Sequence, residues 1–332
     1  MVEWSSPGKL VSRGRELLAE GPRARQLDGI TLYPVERLGN QLFQYAAGLQ
    51  QARRLDCPYY VSLGFYGDAK PVRQYPFRYE LDTFDNGLIR PDDEAAHRPI
   101  LRGLPVMAFP EAWQRTVGHR LERTVGGIFT EAGFAYDSRI EKIPVGTTLL
   151  GFFQSWRYFA DVADEVRERM LTLTAPSQWY TDMLEKIVPG DGSIMLNVRR
   201  GDYLLPETQA FHGIATADYY RRALEIVRRL GVNGTVYVMA DSMDYVLEEF
   251  ADFDELVPVV APPGTNAYEM IALLARFDAL VAANSSFSWW GAWLGERPGR
   301  PVVAPRPWFT NRSMDTGDLI PPGWITLDRE HG

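Results

Sequence analysis

Two adjacent arginines end an apolar run in IMLNVRRGDY, residues Ile194 to Tyr203. A guanidinium stays charged at any physiological pH, and its planar fork fits a carboxylate or a phosphate. Read alone, Arg200-Gly201-Asp202 is the cell-adhesion tripeptide. Read after its apolar flank, the segment is an anion-binding loop at the end of a buried strand. Two further polar clusters follow apolar runs in the same half. Asp241-Ser242 ends TVYVMA, and Asn284-Ser285-Ser286 ends ALVAA and opens FSWWGAWL. Asn and Ser are good N-caps for that apolar helix, and a helix N-terminus attracts phosphate. Capping alone accounts for the serines. Arginines on a neighbouring strand end make phosphate binding the better reading. The arginines also have a structural alternative, pairing with Asp202 or Asp241. If the strand continues, Arg199 and Arg200 point to opposite faces, so only one is expected to touch a phosphate.

These clusters need a frame that brings them together. After Pro176 strand and helix patterns alternate. Strands are expected at Ser193–Val198, Thr235–Ala240, Leu256–Val260, Ala279–Ala283 and Pro301–Ala304. Helices are expected at Trp179–Ile187, Asp218–Leu230, Tyr245–Phe250, Ala267–Phe277 and Phe287–Leu294. Such alternation predicts a parallel sheet with helices on both faces, with ligands beyond the carboxyl ends of the strands. The three polar clusters then share one edge. In the first half, strands are expected at Ile30–Val35, Tyr59–Leu63 and Thr147–Phe153. Glu36-Arg37-Leu38-Gly39-Asn40 leads into a helix from about Gln41 to Leu55, and another helix runs to about Leu173. The stretch from Gly64 to about Pro144 is irregular. Tyr75, Tyr79 and Trp113 within it read as core residues before sugar-stacking ones. This division gives a tail at 1–28, an α/β domain at 29–175 and a second α/β domain at 176–332.

Composition limits the function. The chain has 332 residues, 45% hydrophobic and 23% charged, enough for a large α/β core. A net charge of −8 opposes a nucleic-acid footprint, so any anion site is local. Cys57 is the only cysteine, which rules out an intrachain disulfide, and the histidines (His97, His119, His212, His331) are too scattered for a zinc motif. No zinc site is therefore expected. The N-terminal stretch lacks a signal-peptide core and no run of roughly 18 apolar residues occurs, so a soluble cytoplasmic protein is expected. Asp252-Phe253-Asp254 has the spacing of a metal-binding acidic pair but reads as a solvated face. No GxGxxG, Walker loop or G-x-S-x-G is present.

Five stretches together resemble the α-1,2-fucosyltransferases of glycosyltransferase family 11. They are RLGNQLFQYAAG (Arg37 to Gly48), GFFQSWRYF (Gly151 to Phe159), VRRGDY (Val198 to Tyr203), FHGIATADYY (Phe211 to Tyr220) and ANSSFSWWGAWL (Ala283 to Leu294). RLGNQ or RRGD alone is a weak signal, and their co-occurrence with NSSFSWWGAWL is specific. The resemblance implies a bacterial enzyme of two Rossmann-like halves, GT-B-like, that moves L-fucose from GDP-β-L-fucose to a galactose 2-hydroxyl with inversion and without a metal. The GDP-sugar is then a substrate, and the partner is a glycan or glycoside acceptor. The resemblance further implies that Arg199 holds the β-phosphate, beside Arg200. Ser285 or Ser286 binds phosphate, Asp241 lies near the nucleoside, and Asn40 faces the sugar. Asn197 and Ser242 stand where the family carries His and a second acidic residue. Asn197, Ser242 and Asn284 are kept as donor contacts, and a different nucleotide sugar is the alternative. Asp202 and His212, with Glu36 behind them, are candidates for the group that takes the acceptor proton, and a phosphate oxygen is a further one.

Overall fold

The computed structural model describes residues 27–66, 77–91, 122, 127–187, 190–253, 255–312 and 314–329. The expected tail and most of the irregular stretch, with Tyr75 and Trp113, lie outside these residues. The chain forms two compact units. One runs up to Asp82 and adds Asn86–Val166 and Gly317–Leu319; the other holds Thr83–Asp85, Arg167–Thr316 and the chain from Ile320 onward.

In the first unit, β1 (Ile30–Leu32), β2 (Tyr59–Val61), β3 (Ile128–Thr130) and β4 (Thr148–Leu150) form a parallel sheet in the order β2-β1-β4-β3. Helix α1 (Leu38–Arg54) follows β1 and is buried on almost every face down to Ala52. Its N-cap, Arg37, makes no side-chain cap. The Glu80 carboxylate replaces it, accepting from the Leu38 N–H at 3.2 Å. Gln41 donates to the carbonyls of Glu36 (2.9 Å) and Arg78 (2.7 Å), stitching the β1–α1 turn to the segment at 78–80. Gly48 lets Tyr59 approach α1: a Cβ there would lie 2.1 Å from the Tyr59 hydroxyl, which donates to the Tyr45 carbonyl at 2.9 Å. Tyr79 packs edge-on against Tyr66 and under Arg90.

Helix α2 (Ala163–Leu171) carries the chain across the boundary between the units. The second unit continues with α3 (Gln178–Lys186), β5 (Ile194–Val198), α4 (Pro206–His212), α5 (Ala217–Arg229), β6 (Val236–Ala240) and α6 (Met243–Glu249). Strand β7 (Leu256–Pro258), α7 (Ala267–Leu274), β8 (Ala279–Val281), α8 (Ser286–Leu294), β9 (Val302–Arg306) and β10 (Ile325–Asp328) follow. All six strands are parallel, in the order β10-β9-β8-β5-β6-β7. Counted along the unit this is 6-5-4-1-2-3, the doubly wound order. Strands buried on both faces read as near-continuous apolar runs, and β5 is buried at all five positions. Ile194, Leu196 and Val198 pack with Tyr220, Ala223 and Val227 of α5 in one core. Met195 and Leu280 are equally buried, so the other face is covered too. Thr216 caps α5 by accepting from the Tyr219 N–H, and Arg228 and Arg229 sit in its last turn, where cations favour the dipole.

The α/β class with two Rossmann-like parallel sheets is what the sequence predicts. Three elements were not expected: β3, α4 and β10. His212 accordingly ends a helix.

Candidate functional site

Strand β5 lies between β6 and β8, and all three run the same way. Their next residues, Arg199, Asp241 and the Ala282–Ser285 segment, therefore emerge on one edge. The register sets Val198 beside Ala240, so the residues after them meet. The winding of the sheet reverses between β5 and β8, and ligands of such sheets bind in the crevice at that switch point.

Asp241 organises the arginine pair. Its Oδ2 accepts from Arg199 Nη1 at 2.7 Å, with the side chains 27% and 23% exposed. Its Oδ1 accepts from the Arg200 backbone N–H at 2.7 Å. One carboxylate thus fixes both residues. Gly201 follows because a Cβ there would lie 2.6 Å from Asp241 Oδ2. The strand stops at Val198, so alternation does not set the two side chains, yet the guanidiniums meet different rings. Arg199 also lies 5.5 Å from the Tyr203 ring centre, whereas Arg200 stacks over Tyr245 of α6 at 3.9 Å. The Arg200 Nε is buried and makes no hydrogen bond.

Across the crevice, Ser285 caps α8 by accepting from the Ser288 N–H at 3.1 Å. Ser286 is the first helical residue and half-buried. Asn284 is 1% exposed, and its amide donates to the carbonyls of His212 (2.8 Å) and Trp308 (3.1 Å), while its own carbonyl accepts from Tyr203 Oη at 3.0 Å. It is a strut between the β8 end, α4 and the segment after β9. The His212 ring stacks on Tyr203 (4.6 Å, 13°) and meets Phe211 and Phe309. Arg329 Nη1 donates to the His212 carbonyl at 2.5 Å.

Asn197 is buried and donates to the Met239 carbonyl at 3.2 Å, so its amide nitrogen serves the sheet. Ser242 is the N-cap residue of α6 but makes no side-chain cap bond. Asp202 belongs to the 3-10 turn Gly201–Leu204, and its side chain lies outside the described part. Asn40 lies in the first unit, where its Oδ1 accepts from Gln154 Nε2 at 2.8 Å and joins the β1 and β4 ends. Glu36 adopts a left-handed backbone (φ 65°) held by Gln41 and by Tyr66 Oη, both donating to its carbonyl. Among the described residues no three His, Cys, Asp or Glu side chains converge as a metal site, and no helix is long and apolar enough to cross a membrane.

The sequence reading did not single out Tyr203 or Tyr245, which flank the arginines, nor Arg329. Tyr203 stood inside the quoted motif. Tyr245 gave no signal because its partner, Arg200, lies on another strand end.

Comparison with known proteins now bears on these residues. The sequence model of glycosyl transferase family 11 matches residues 135–328, which include β5 to β10 and every polar cluster of the edge. An Escherichia coli alpha-1,2-colitosyltransferase is 25% identical over 306 residues, 88% of this chain and 96% of that one. The Escherichia coli O-antigen biosynthesis glycosyltransferase WbnK is 27% identical over 304 residues, 87% of this chain and 97% of that one. A galactoside alpha-(1,2)-fucosyltransferase 1 from Saimiri sciureus is 25% identical over 276 residues, 80% of this chain and 64% of that one.

Proposed function

This chain belongs to glycosyl transferase family 11 and is a glycosyltransferase, and on that premise we propose that it transfers L-fucose from GDP-β-L-fucose to the 2-hydroxyl of a galactose-containing acceptor with inversion. One observation carries the donor half of the reading. Arg199 follows β5 and the Ser285-capped N-terminus of α8 follows β8, so the two lie on one sheet edge at the switch point. That pairing of a planar cation with a helix N-terminus suits a diphosphate. The acceptor half rests on the relatives, which name an α-1,2 linkage and a galactoside.

The acceptor oxygen attacks the anomeric carbon from the face opposite the diphosphate. The bond between that carbon and the β-phosphate oxygen breaks, and GDP leaves with the electron pair. Arg199 meets the charge that develops on the departing phosphate, and a fixed cation there lowers the barrier more than it tightens substrate binding. In this proposal Asp202, His212 or a phosphate oxygen takes the acceptor proton, and the His212 ring is already committed to packing with Tyr203, Phe211 and Phe309. In this proposal the first unit, which holds Asn40, serves the acceptor side.

A second reading keeps the reaction and changes the sugar. The colitosyltransferase relative favours it, because fucose and colitose differ by one hydroxyl. Incubation with labelled GDP-fucose and a simple β-galactoside is the test. Transfer to the 2-hydroxyl supports the proposal. Neither transfer nor hydrolysis, together with no thermal shift by GDP in a panel with UDP, dTDP and ADP, would sink it. A GDP shift without fucose transfer would point to the second reading.

A further inference from the structure

The β5–β8 ladder lacks its next rung at this edge, and the two halves of that rung are bound elsewhere. Ile194 donates to Thr235 of the β6 side at 2.9 Å, while the Ser193 carbonyl accepts from Ala279 at the start of β8 at 3.1 Å. Alternate residues of a parallel strand face alternate neighbours. Ser193, Met195 and Asn197 therefore turn their backbone groups toward β8. The β5–β8 register stops at Leu196 opposite Val281. The next rung would join the Ala283 N–H to the Asn197 carbonyl. Instead, the Ala283 N–H donates to Ser288 Oγ of α8 at 3.0 Å, and the Asn197 carbonyl accepts from Tyr220 Oη of α5 at 2.9 Å. Tyr220 and Ser288 are fully buried, so water does not make these bonds.

The neighbouring tyrosine solves a related problem. Ala282 donates to the Val303 carbonyl of β9 at 2.8 Å, so its own carbonyl would next accept from residue 305. That residue is Pro305, which has no N–H. Tyr219 Oη donates to the Ala282 carbonyl at 2.8 Å in its place.

We infer that Tyr220 and Ser288 are positioning residues that hold β5 and β8 apart, and that they set the width of the crevice from which Arg199 and Ser285 project. Burying a backbone carbonyl or N–H without a partner is costly, so each strand end is fixed by the side chain that satisfies it. The inference rests on the donor-site reading for its consequence, though not for its geometry.

A double-mutant cycle tests it. Tyr220→Phe leaves the Asn197 carbonyl without its donor, and Ser288→Ala leaves the Ala283 N–H without its acceptor. Each single variant should unfold several degrees below the parent. In the double variant the two freed groups are each other's ladder partners and can form the missing rung. Its Tm should then lie above the value expected from adding the single losses. Its affinity for GDP should fall at least tenfold below that of either single variant, because the crevice has closed. Stability and binding thus move in opposite directions, which loss of packing alone would not produce. Tyr219→Phe combined with Ser288→Ala is the control, since Pro305 offers no N–H and the Tm losses should add. Additive losses in the Tyr220→Phe and Ser288→Ala double variant, or a GDP affinity equal to the parent's, would overturn the inference. Failure of the parent chain to bind GDP would defeat the donor reading, while the thermal cycle would still report on the separation of β5 and β8 without ligand.

Discussion

Arg199→Ala separates chemistry from folding at the proposed site, and the structure sets both magnitudes. On the folding side the variant loses the 2.7 Å pair with Asp241. Both side chains are about a quarter exposed, so solvent screens the pair and its net contribution is about 1 kcal/mol or less. Asp241 keeps the Arg200 N–H on its other oxygen, so the strand end stays anchored. In a unit of this size about 1 kcal/mol moves Tm by roughly 2–4 °C. On the chemical side, removing a fixed donor aimed at developing charge costs about 3–4 kcal/mol, or about 10²–10³ in turnover. Arg199→Lys retains the charge but not the planar fork, and should fall between the two. The assay is kcat and KM for labelled GDP-fucose beside a thermal melt of each variant. The expected result for the alanine variant is a kcat lower by about 10²–10³ with a Tm within a few degrees of the parent. A kcat/KM within tenfold of the parent would refute the phosphate role. A large Tm loss would show that the arginine serves the fold.

Two further predictions concern the frame that holds the edge in place. Arg300 is buried, and its guanidinium donates to the carbonyls of Phe277 (2.8 Å), Ala292 (2.8 Å) and Leu274 (2.9 Å), at the ends of α7 and α8. Burial pushes its pKa down to about 9, which leaves it charged at neutral pH. Arg300→Met keeps the stem and strands the Ala292 and Leu274 carbonyls, while Phe277 still accepts from Arg297 Nη2 at 3.0 Å, so a loss of about 2–4 kcal/mol in urea unfolding is expected; a loss under about 1 kcal/mol would contradict the tie. Asp278 accepts from the backbone of Gly190, Gly192 and Ser193 and from Arg297. Burial works against its charge, but these donors outweigh it and hold its carboxyl below the usual range. The folded pKa is depressed, so the stabilisation is complete above the unfolded value and disappears as pH falls through the folded one. The Tm gap between the parent and Asp278→Asn should therefore be largest near neutrality and shrink below about pH 4; a gap that does not change with pH would refute the assignment.

The edge was legible in the sequence because it needs only chain order and strand direction. Alternating apolar runs gave a parallel sheet, and a parallel sheet delivers Arg199, Asp241 and Ser285 together. Strand β3 is only three residues long, too short for a periodicity to show, and the other two elements that escaped notice lack an apolar pattern of their own. Strand β10 is mostly half-buried along ITLD and lies at the sheet edge, so it carries no continuous apolar run. Helix α4 is short, and Thr310 and Arg329 donate to its backbone from distant parts of the chain. Tertiary bonds of that kind leave no periodicity to read.

Asn197 shows where a resemblance and a structure ask different questions. In sequence it is a departure from the family pattern, and so a sign of altered base contacts. In the fold its amide nitrogen binds the Met239 carbonyl and its backbone carbonyl binds Tyr220. Both bonds lie on the β5 segment that carries Arg199 two residues later. A substitution at Asn197 therefore removes the side-chain tie to β6, while the backbone carbonyl of residue 197 still accepts from Tyr220. A change in nucleotide preference at this position can arise through the placement of Arg199 without any contact between Asn197 and a base. Tyr220→Phe separates these routes, because it disturbs the backbone carbonyl while leaving the Asn197 side chain intact.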